Sequence, residues 1–482
     1  MSPISTPVPA GRQRTRRTGT PELVGFVLAT SALGALLAGV LLGQRGLDLW
    51  GTVMIPAFLI LVTAPIIVTR ERRKADDLGR LLLLGLIARF ISTYLRYLME
   101  VGYYKFGDAL TYHRIGAATA DQVWSGDLPW TKLIPTGTNT VFIQNLTALI
   151  ETITAQSVVG TFMVYSWLGF FGIWAFLNAA RRAIPNLHVR RYAMLIIFLP
   201  SMLFWSSALG KDAWMVLWLG VFAAGAARIL TRARGGAPMV AVAGLLAGVC
   251  RPNVALLVVG ALLITVIVGG IRDPKSSGGG GPSRVILALL LIVGVTIAFS
   301  SLTAIFPSAK PLSDPSTVTD LVTRTQVSTS IGGSQIETTN PNAVWQYPLA
   351  MLSALYRPLL IEARNPPTLI AALEGTLLLV LTIVWRRNIA AGLRQLRKTP
   401  YLMFATLYGT MFYVVWGSIS NLGILARQRV QGLPFILLLL AVQTTQERAS
   451  ARSDEADADT DVVDGDGSDG DRAVGGSRPR PS

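Results

Sequence analysis

The sequence predicts an all-α protein that crosses a membrane many times. Of its 482 residues, 51% are hydrophobic and 15% are charged, and its mean hydropathy is +0.49. Soluble domains carry about 25% charged residues, so this composition excludes an ordinary soluble enzyme. Its apolar content also excludes a disordered chain. The third observation is a series of apolar runs of roughly 20 residues, the length an α-helix needs to cross a bilayer core about 30 Å thick.

Twelve such runs predict twelve transmembrane helices. Two further segments, 138–157 and 346–362, are apolar but interrupted, and we expect re-entrant or interfacial helices there. The sequence contains no tandem repeat, Walker loop or Rossmann fingerprint, so no motif indicates ATP-driven work. The predicted spans are 23–43, 50–69, 80–99, 158–180, 191–209, 213–231, 237–250, 253–271, 284–306, 368–385, 401–420 and 432–447.

The basic residues set the predicted orientation. With twelve spans, the main Lys/Arg clusters all fall on one side, which the positive-inside tendency identifies as cytoplasmic. We therefore expect a multi-pass protein of the cytoplasmic membrane with both termini inside. Its parts are a basic N-terminus (1–22), a transmembrane body (23–447) and a tail (448–482). The clusters include Arg12–Arg17, Arg70–Lys74, Arg181–Arg191 and Arg386–Lys398.

The charge is divided between the body and the tail. From Ser450 to Ser482 there are nine acids and four arginines, whereas the preceding residues hold 39 bases and 18 acids, a net charge of +21. The acidic, Gly-rich tail is predicted to be disordered. A basic body this hydrophobic indicates cytoplasmic Lys/Arg of a membrane protein, and not a nucleic-acid partner. One cysteine, Cys250, permits no intrachain disulfide, and two histidines permit no Cys/His zinc cluster.

Several charged residues lie on the predicted outer face, in short turns and in the long loops 100–157 and 307–367. Charges beside a membrane are costly unless they are paired or hydrated. One interpretation is local ion pairing of Lys211 or Arg357 with Asp212, Glu362 or Glu374. The other is an anion-binding pocket, because guanidinium groups bind phosphate oxygens in pairs. The candidate substrate-binding residues are Lys211, Asp212, Arg251, Arg357, Glu362, Arg364, Arg427 and Arg429.

A carboxylate follows the third predicted span. The segment Phe106–Arg114 has the pattern of a helix start, and Asp108 would either cap that helix or act as the general base for a sugar hydroxyl. Tyr112, four residues later, shares its helix face and would stack on a sugar or donate a hydrogen bond. His113 is a weaker substrate-binding candidate. Within the third span, Arg89 has either a structural role or a lipid-phosphate contact.

These motifs resemble those of the GT-C superfamily of membrane glycosyltransferases and related bacterial cell-surface polysaccharide enzymes. The resemblance lies in Gly107-Asp108-Ala109 with Tyr112, in the segment Pro200–Asp212, and in Arg427-Gln428-Arg429 before a late helix that contains Pro434. It implies a GT-C-like fold and transfer of a sugar from a polyprenyl-phosphate or polyprenyl-diphosphate carrier at the outer face. Asp108 would deprotonate the acceptor hydroxyl, and the basic residues would bind the carrier phosphate.

The resulting prediction is an inverting glycosyltransferase that builds a cell-envelope glycan. Its partners would be the polyprenyl-linked donor, a glycan or lipid-linked acceptor and membrane lipid, with the oligomeric state left open. No cofactor is indicated; a divalent metal is an alternative that the single acid Asp108, without a paired acidic motif, does not support. Two other functions stay open: a polysaccharide polymerase or ligase that relies on arginines, and a transporter or flippase for a lipid-linked saccharide.

Overall fold

The described part of the chain is helical. Its only extended pairing is an isolated bridge between Leu187 and Val442. This confirms the all-α class. The structure, a computed structural model, describes residues 48–104, 107–272, 346–363, 366–417 and 422–447, with the isolated positions 294 and 449.

The first half of the described chain contains ten helices. α1 opens with a π-helical turn, α2 continues into the π-helical turn Met99–Tyr104, and a 3₁₀ turn, Trp205–Ser207, follows α7. The helices are α1 (Trp50–Glu71), α2 (Gly79–Leu98), α3 (Asp108–Trp124), α4 (Asn139–Thr154), α5 (Val158–Ala183), α6 (Val189–Phe198), α7 (Pro200–Phe204), α8 (Lys211–Leu230), α9 (Gly236–Cys250) and α10 (Pro252–Arg272).

The second half contains seven described helices, several of them short. Two 3₁₀ turns, Leu360–Glu362 and Arg429–Gln431, lie among them. The helices are α11 (Tyr347–Tyr356), α12 (Pro366–Val384), α13 (Arg386–Gln395), α14 (Pro400–Trp416), α15 (Leu422–Gln428), α16 (Leu433–Ile436) and α17 (Leu438–Ala441).

Five of these helices are long and apolar enough to cross a membrane: α1, α2 with its π turn, α5, α8 and α10. The count rises to seven if each of two bent helix pairs forms one span. One pair is α12 with α13, bent by 70°, and the other joins the segment 423–431 to 433–441 with a bend of 55°. Five to seven candidate spans are consistent with a multi-pass membrane protein.

Two predicted spans are interrupted in the structure. The segment 191–209 is divided between α6 and α7, because Pro200 lacks an N–H and Leu199 before it is extended. The segment 432–447 is divided into two four-residue helices, and residues after Ala441 leave the helix. As continuous membrane helices, both predictions are wrong.

The other predicted spans have mixed outcomes. The segment 237–250 corresponds to α9, which has only 15 residues, and 401–420 corresponds to α14, which has 17. The span 23–43 lies outside the described residues, as does 284–306 apart from Gly294. The N-terminus 1–22, most of the loop 307–367 and nearly all of the tail 448–482 also lie outside them.

The centre of the bundle is the lengthwise packing of α5 on α8. Gly172 and Gly220 let the two backbones touch, since a Cβ at either position would collide with the backbone of the opposite helix. At one end of this pair, the buried Glu71 carboxylate accepts hydrogen bonds from Lys74 and Arg181, both at 2.6 Å. This is the end that carries the predicted cytoplasmic clusters; the starts of α5 and α8 mark the opposite end, called the site end below.

Arg89 has a structural position. Its buried guanidinium donates hydrogen bonds to three backbone carbonyls, those of Ser166 at 2.7 Å, Met202 at 3.1 Å and Ser206. The last two carbonyls belong to residues 200–207, which form α7 and the 3₁₀ turn after it; we call this stretch the broken segment after α6. Backbone carbonyls left free by a helix break need a donor inside an apolar bundle. Arg89 therefore fastens this segment to α2 and α5, which favours the structural interpretation over a lipid-phosphate contact.

Candidate functional site

The site begins at the first residue of α3. Gly107 occupies the cap position, and a Cβ there would collide with the Glu100 carboxylate. Asp108 is the first helical residue and makes no capping hydrogen bond, so the interpretation that it caps α3 is wrong. Its side chain is 62% exposed, and its Oδ2 lies 3.6 Å from Nη1 of Arg427. An exposed carboxylate therefore lies beside a cation at the site end.

A second carboxylate, that of Asp212, lies beneath this pair. Asp212 is the second residue of α8, and its side chain is 4% exposed. Its Oδ1 accepts a hydrogen bond from Nη2 of Arg251 at 2.8 Å, and its Oδ2 accepts one from Nε of Arg427. One buried carboxylate thus binds two guanidinium groups, one from the α9–α10 junction and one from α15. Asp108, Asp212, Arg251 and Arg427 together form what we call the aspartate–arginine cluster.

The second terminal nitrogen of Arg251 is bound by a glutamine of the Arg427-Gln428-Arg429 motif. Nη1 of Arg251 donates to Oε1 of Gln428 at 2.8 Å, and Nε2 of Gln431 donates to the same oxygen at 2.7 Å. Both terminal nitrogens of Arg251 therefore have acceptors, and its orientation is fixed. Sequence reasoning missed this role of Gln428, although the residue lies inside the Arg427-Gln428-Arg429 motif.

Lys211 lies next to the cluster but pairs with neither acid. Its Nζ donates to Oδ1 of Asn139 at 2.6 Å and to Oγ1 of Thr140 at 2.8 Å, both at the start of α4. The glycine before it, Gly210, has φ +134°, a backbone conformation that favours glycine. The predicted pairing of Lys211 with an acid is thus replaced by neutral oxygens from Asn139 and Thr140, which sequence reasoning did not identify.

Tyr112 is buried under the same region. It is 2% exposed, and its ring would lie 3.5 Å from a Cβ placed at Gly210. Burial, together with the charge of Asp108, raises the pKa of Tyr112 to about 12, so the phenol stays neutral at pH 7. Its buried ring is not available to stack on a sugar, which makes that expectation wrong.

His113 points to a different neighbour. Its Nδ1 lies 2.7 Å from Oε1 of Glu151, whose side chain is fully buried in the second half of α4. Asn139 and Glu151 are twelve residues apart on α4, which at 1.5 Å per residue separates their backbones by about 18 Å. His113 therefore does not join the aspartate–arginine cluster.

Arg429 lies only two residues from Arg427, but it forms a fully buried ion pair outside the aspartate–arginine cluster. Its fully buried guanidinium has Nη2 2.9 Å from Oε1 of Glu374, in a geometry outside that of a hydrogen bond, and its Nε donates to Oγ of Ser201 at 3.1 Å. The other oxygen of Glu374 accepts a hydrogen bond from the backbone N–H of Ser201. Glu374 thus binds Arg429 to the broken segment after α6, and no exposed surface remains for a ligand.

Arg357 and Glu362 also pair with each other. Nε of Arg357 donates to Oε1 of Glu362 at 2.9 Å. The hydrogen bonds from Arg357 lower the pKa of the Glu362 carboxyl, although the partial burial of that carboxyl acts in the opposite direction. The side chain of Arg357 therefore does not reach Asp212, and only its backbone carbonyl contacts Arg429, at 3.5 Å. Arg364 lies outside the described residues.

An apolar cleft adjoins the Arg429–Glu374 pair. It is narrow and is lined mainly by the broken segment after α6 and by α12. Beside it, the guanidinium of Arg96 lies 5.3 Å from the ring centroid of Phe204 and 5.0 Å from that of Trp205. The lining residues are Met99, Pro200, Ser201, Phe204, Trp205, Ile370, Ala371 and Glu374.

The predicted residues thus separate into groups. Asp108, Asp212, Arg251 and Arg427 form a contiguous cluster, and Lys211 and Tyr112 lie at its edge. Three ion pairs lie apart from this cluster: Arg429 with Glu374, Arg357 with Glu362, and His113 with Glu151. Among the described residues, no three His, Cys, Asp or Glu side chains are grouped so that they could hold a metal ion.

Comparison with known proteins gives no match. No family model matches the chain, and the searches of curated proteins and of solved structures likewise find no match.

Proposed function

We propose that this chain is an inverting membrane glycosyltransferase with a GT-C-like fold. It would use a polyprenyl-phosphate or polyprenyl-diphosphate sugar donor at the outer face of the cytoplasmic membrane to build an envelope glycan. The observation that carries the proposal is the exposed carboxylate of Asp108, 3.6 Å from an arginine that a buried aspartate holds in place. A base for the acceptor hydroxyl and a cation for the leaving phosphate are thus adjacent.

The proposed step uses two groups at the mouth of the site. The Asp108 carboxylate takes the proton of the acceptor hydroxyl while the hydroxyl oxygen bonds to the anomeric carbon. The bond between that carbon and the phosphate oxygen breaks, and its electron pair leaves with the phosphate. Arg427 and Lys211 stabilise the charge that develops there, and such stabilisation is most effective when the donors are already oriented.

Arg251 and Asp212 act in this scheme as positioning residues. Arg251 has acceptors on both terminal nitrogens, so it orients Asp212 and Gln428 and does not itself bind phosphate. Asp212 fixes Nε of Arg427 and leaves Nη1 directed toward Asp108. Among the five outer cations that the structure describes, Arg427 and Lys211 are then the two that contact substrate.

The test is a turnover assay with purified protein and polyprenyl-phosphate sugars. A general base typically contributes about 10²- to 10⁴-fold to the rate, so Asp108→Asn is expected to lose at least about 100-fold. Asp127→Asn is the matched control, because Asp127 is an exposed acid of the same loop whose carboxylate accepts a hydrogen bond only from Ser125, at 2.8 Å. Absence of turnover by the wild type with every donor tried, or full activity of Asp108→Asn, would refute the proposed base.

The second candidate is a polysaccharide polymerase or ligase centred on arginines. The convergence of Arg251 and Arg427 on one buried carboxylate favours it. The same assay distinguishes the two enzymes. If Asp108→Asn keeps full activity whereas Arg427→Ala and Arg251→Ala abolish it, the arginine-centred reaction replaces the base-catalysed one.

The third candidate is a transporter or flippase for a lipid-linked saccharide. It is favoured by the interrupted helices around the buried pair Arg429–Glu374, because transporters form their substrate and ion sites at interrupted helices. Reconstitution into liposomes separates it from the enzymes. Movement of a lipid-linked saccharide across the bilayer with its glycosidic bond intact would identify a transporter.

A further inference from the structure

A basic surface lies at the end of the bundle opposite the candidate site. α13 follows α12 after a bend of 70°, so it runs across the direction of the membrane-spanning helix before it. Its exposed bases continue into the turn that follows, and no acid occurs between residues 385 and 399. We call this surface the α13 basic face: Arg386, Arg387, Arg394, Arg397 and Lys398, all with exposed side chains.

The opposite face of α13 is packed. Nδ2 of the buried Asn388 donates to the carbonyl of Val442 at 2.9 Å, and a Cβ at Gly392 would lie 3.0 Å from Leu439. At 100° per residue, Asn388 and Gly392 lie on one side of the helix, and Arg386, Arg387 and Arg394 lie on the other. The basic face is therefore turned away from the bundle and is open to an anionic partner.

The end of the described chain lies against the same helix. Oε2 of Glu447 accepts a hydrogen bond from Nδ2 of Asn388 at 2.7 Å, and its Oε1 lies 3.0 Å from Nη2 of Arg191. The first acid of the tail, Asp454, follows seven residues later. Seven residues span up to about 23 Å when extended, whereas the ten residues of α13 span about 15 Å. The acidic segment can thus reach every base on α13.

The charges of the two segments are complementary. Residues 454–471 contain nine acids and no base, whereas the α13 basic face contains five bases. A tether of this length presents the acidic segment at an effective concentration in the millimolar range. We propose that the acidic segment 454–471 docks on the α13 basic face of the same molecule.

Disulfide trapping tests this contact in the full-length protein. The only cysteine, Cys250, is buried and is first replaced by Ser. Leu393→Cys places a thiol at the edge of the basic face, where Leu393 is 48% exposed, and Ala458→Cys places one among the tail acids. We expect rapid cross-linking at low salt and about tenfold slower cross-linking in 1 M NaCl, where the Debye length falls to about 3 Å. Equal rates at both salt concentrations would overturn the proposal.

Two charge-neutral variants and one positional control complete the test. Cross-linking at low salt is expected to slow about tenfold when Arg386, Arg387 and Arg394 are changed to Gln, and likewise when the tail acids are changed to their amides, because each change removes one side of the attraction. Ile153→Cys, 71% exposed at the site end, is expected to give no cross-link to Ala458→Cys. Unchanged rates in both charge variants would refute docking.

Anionic lipid is the competing occupant of the same face. The pair of cysteines is therefore also compared in bilayer discs of neutral lipid and in discs that contain anionic phospholipid. Rapid cross-linking in both supports tail docking. Loss of cross-linking in the anionic discs would show that headgroups occupy the basic face, and this outcome overturns the proposal.

Discussion

Arg427 and Arg429 differ in what surrounds them, although only Gln428 separates them. Arg427 is 27% exposed and lies between the buried Asp212 and the exposed Asp108. Arg429 is fully buried and is enclosed by Glu374, Ser201 and two backbone carbonyls. Arg427 is therefore accessible to a substrate beside the exposed Asp108, whereas Arg429 holds interrupted segments of the bundle together. Proximity in sequence therefore does not indicate a shared function here.

The largest effect is expected from Arg429→Met. The substitution leaves the carboxylate of Glu374 buried without its cation, and breaking a buried pair in this way costs about 3–5 kcal/mol of unfolding free energy. Denaturant or thermal unfolding in detergent measures the loss. The double variant Arg429→Met with Glu374→Gln, which removes both charges, is expected to recover most of it. A loss below about 1 kcal/mol in the single variant would show that Arg429 is not structural.

A smaller loss is expected from Arg427→Met. Asp212 keeps Arg251 as a partner, so the substitution removes one hydrogen bond to Asp212, that from Nε of Arg427, and the longer contact with the exposed Asp108. Hydrogen bonds to charged groups are worth about 1.5–3 kcal/mol, and the same unfolding measurement should give a value in that range. If Arg427→Met destabilises as strongly as Arg429→Met, the two arginines are equally structural and the contrast between them fails.

Asp108→Asn is expected to change stability least within the aspartate–arginine cluster. The carboxylate is largely exposed and 3.6 Å from its cation, and exposed pairs contribute about 0–1 kcal/mol. Unfolding of this variant should match the wild type within that margin even though turnover is lost. A large destabilisation would make Asp108 a structural residue and remove the basis for its catalytic role.

The smallest effect concerns the pH dependence at Glu362. Its pKa is lowered in the folded protein, so its contribution is present above the ordinary pKa of a glutamate and is lost as the pH falls through the folded value. The unfolding curves of wild type and Glu362→Gln are compared across acid pH. Wild type is expected to be slightly more stable near neutrality, and the difference should vanish in strong acid. A difference that persists there would contradict the ion pair with Arg357.

The helices of the body were largely predictable because hydropathy over 20 residues reports burial in an apolar medium. The same average concealed the breaks, since Pro200 and the turn at Leu437 interrupt segments whose mean hydropathy stays high. The predicted spans 191–209 and 432–447 failed for this reason. The positions of Lys211, Arg251 and Arg427 at one end of the bundle were also predictable, because the loop assignments already set them together.

The partner of each charge could not be predicted from the sequence. Asp212 accepts hydrogen bonds from arginines 39 and 215 residues away, whereas Arg357 pairs with an acid only five residues away. Both choices depend on how helices pack, which a single sequence does not encode in its spacing. The predicted cap of α3 was wrong by one residue, since Gly107 and Asp108 both suit the cap position and the structure places Gly107 there.

The shared carboxylate of Asp212 has a consequence for how related sequences diverge. Loss of the acid would leave two guanidinium groups facing each other, and loss of either arginine would leave the acid partly compensated. Positions 212, 251 and 427 are therefore expected to coevolve, because a change at one of them alone would be selected against. Position 108, on the open side, is free of that constraint and should follow the chemistry of the substrate instead.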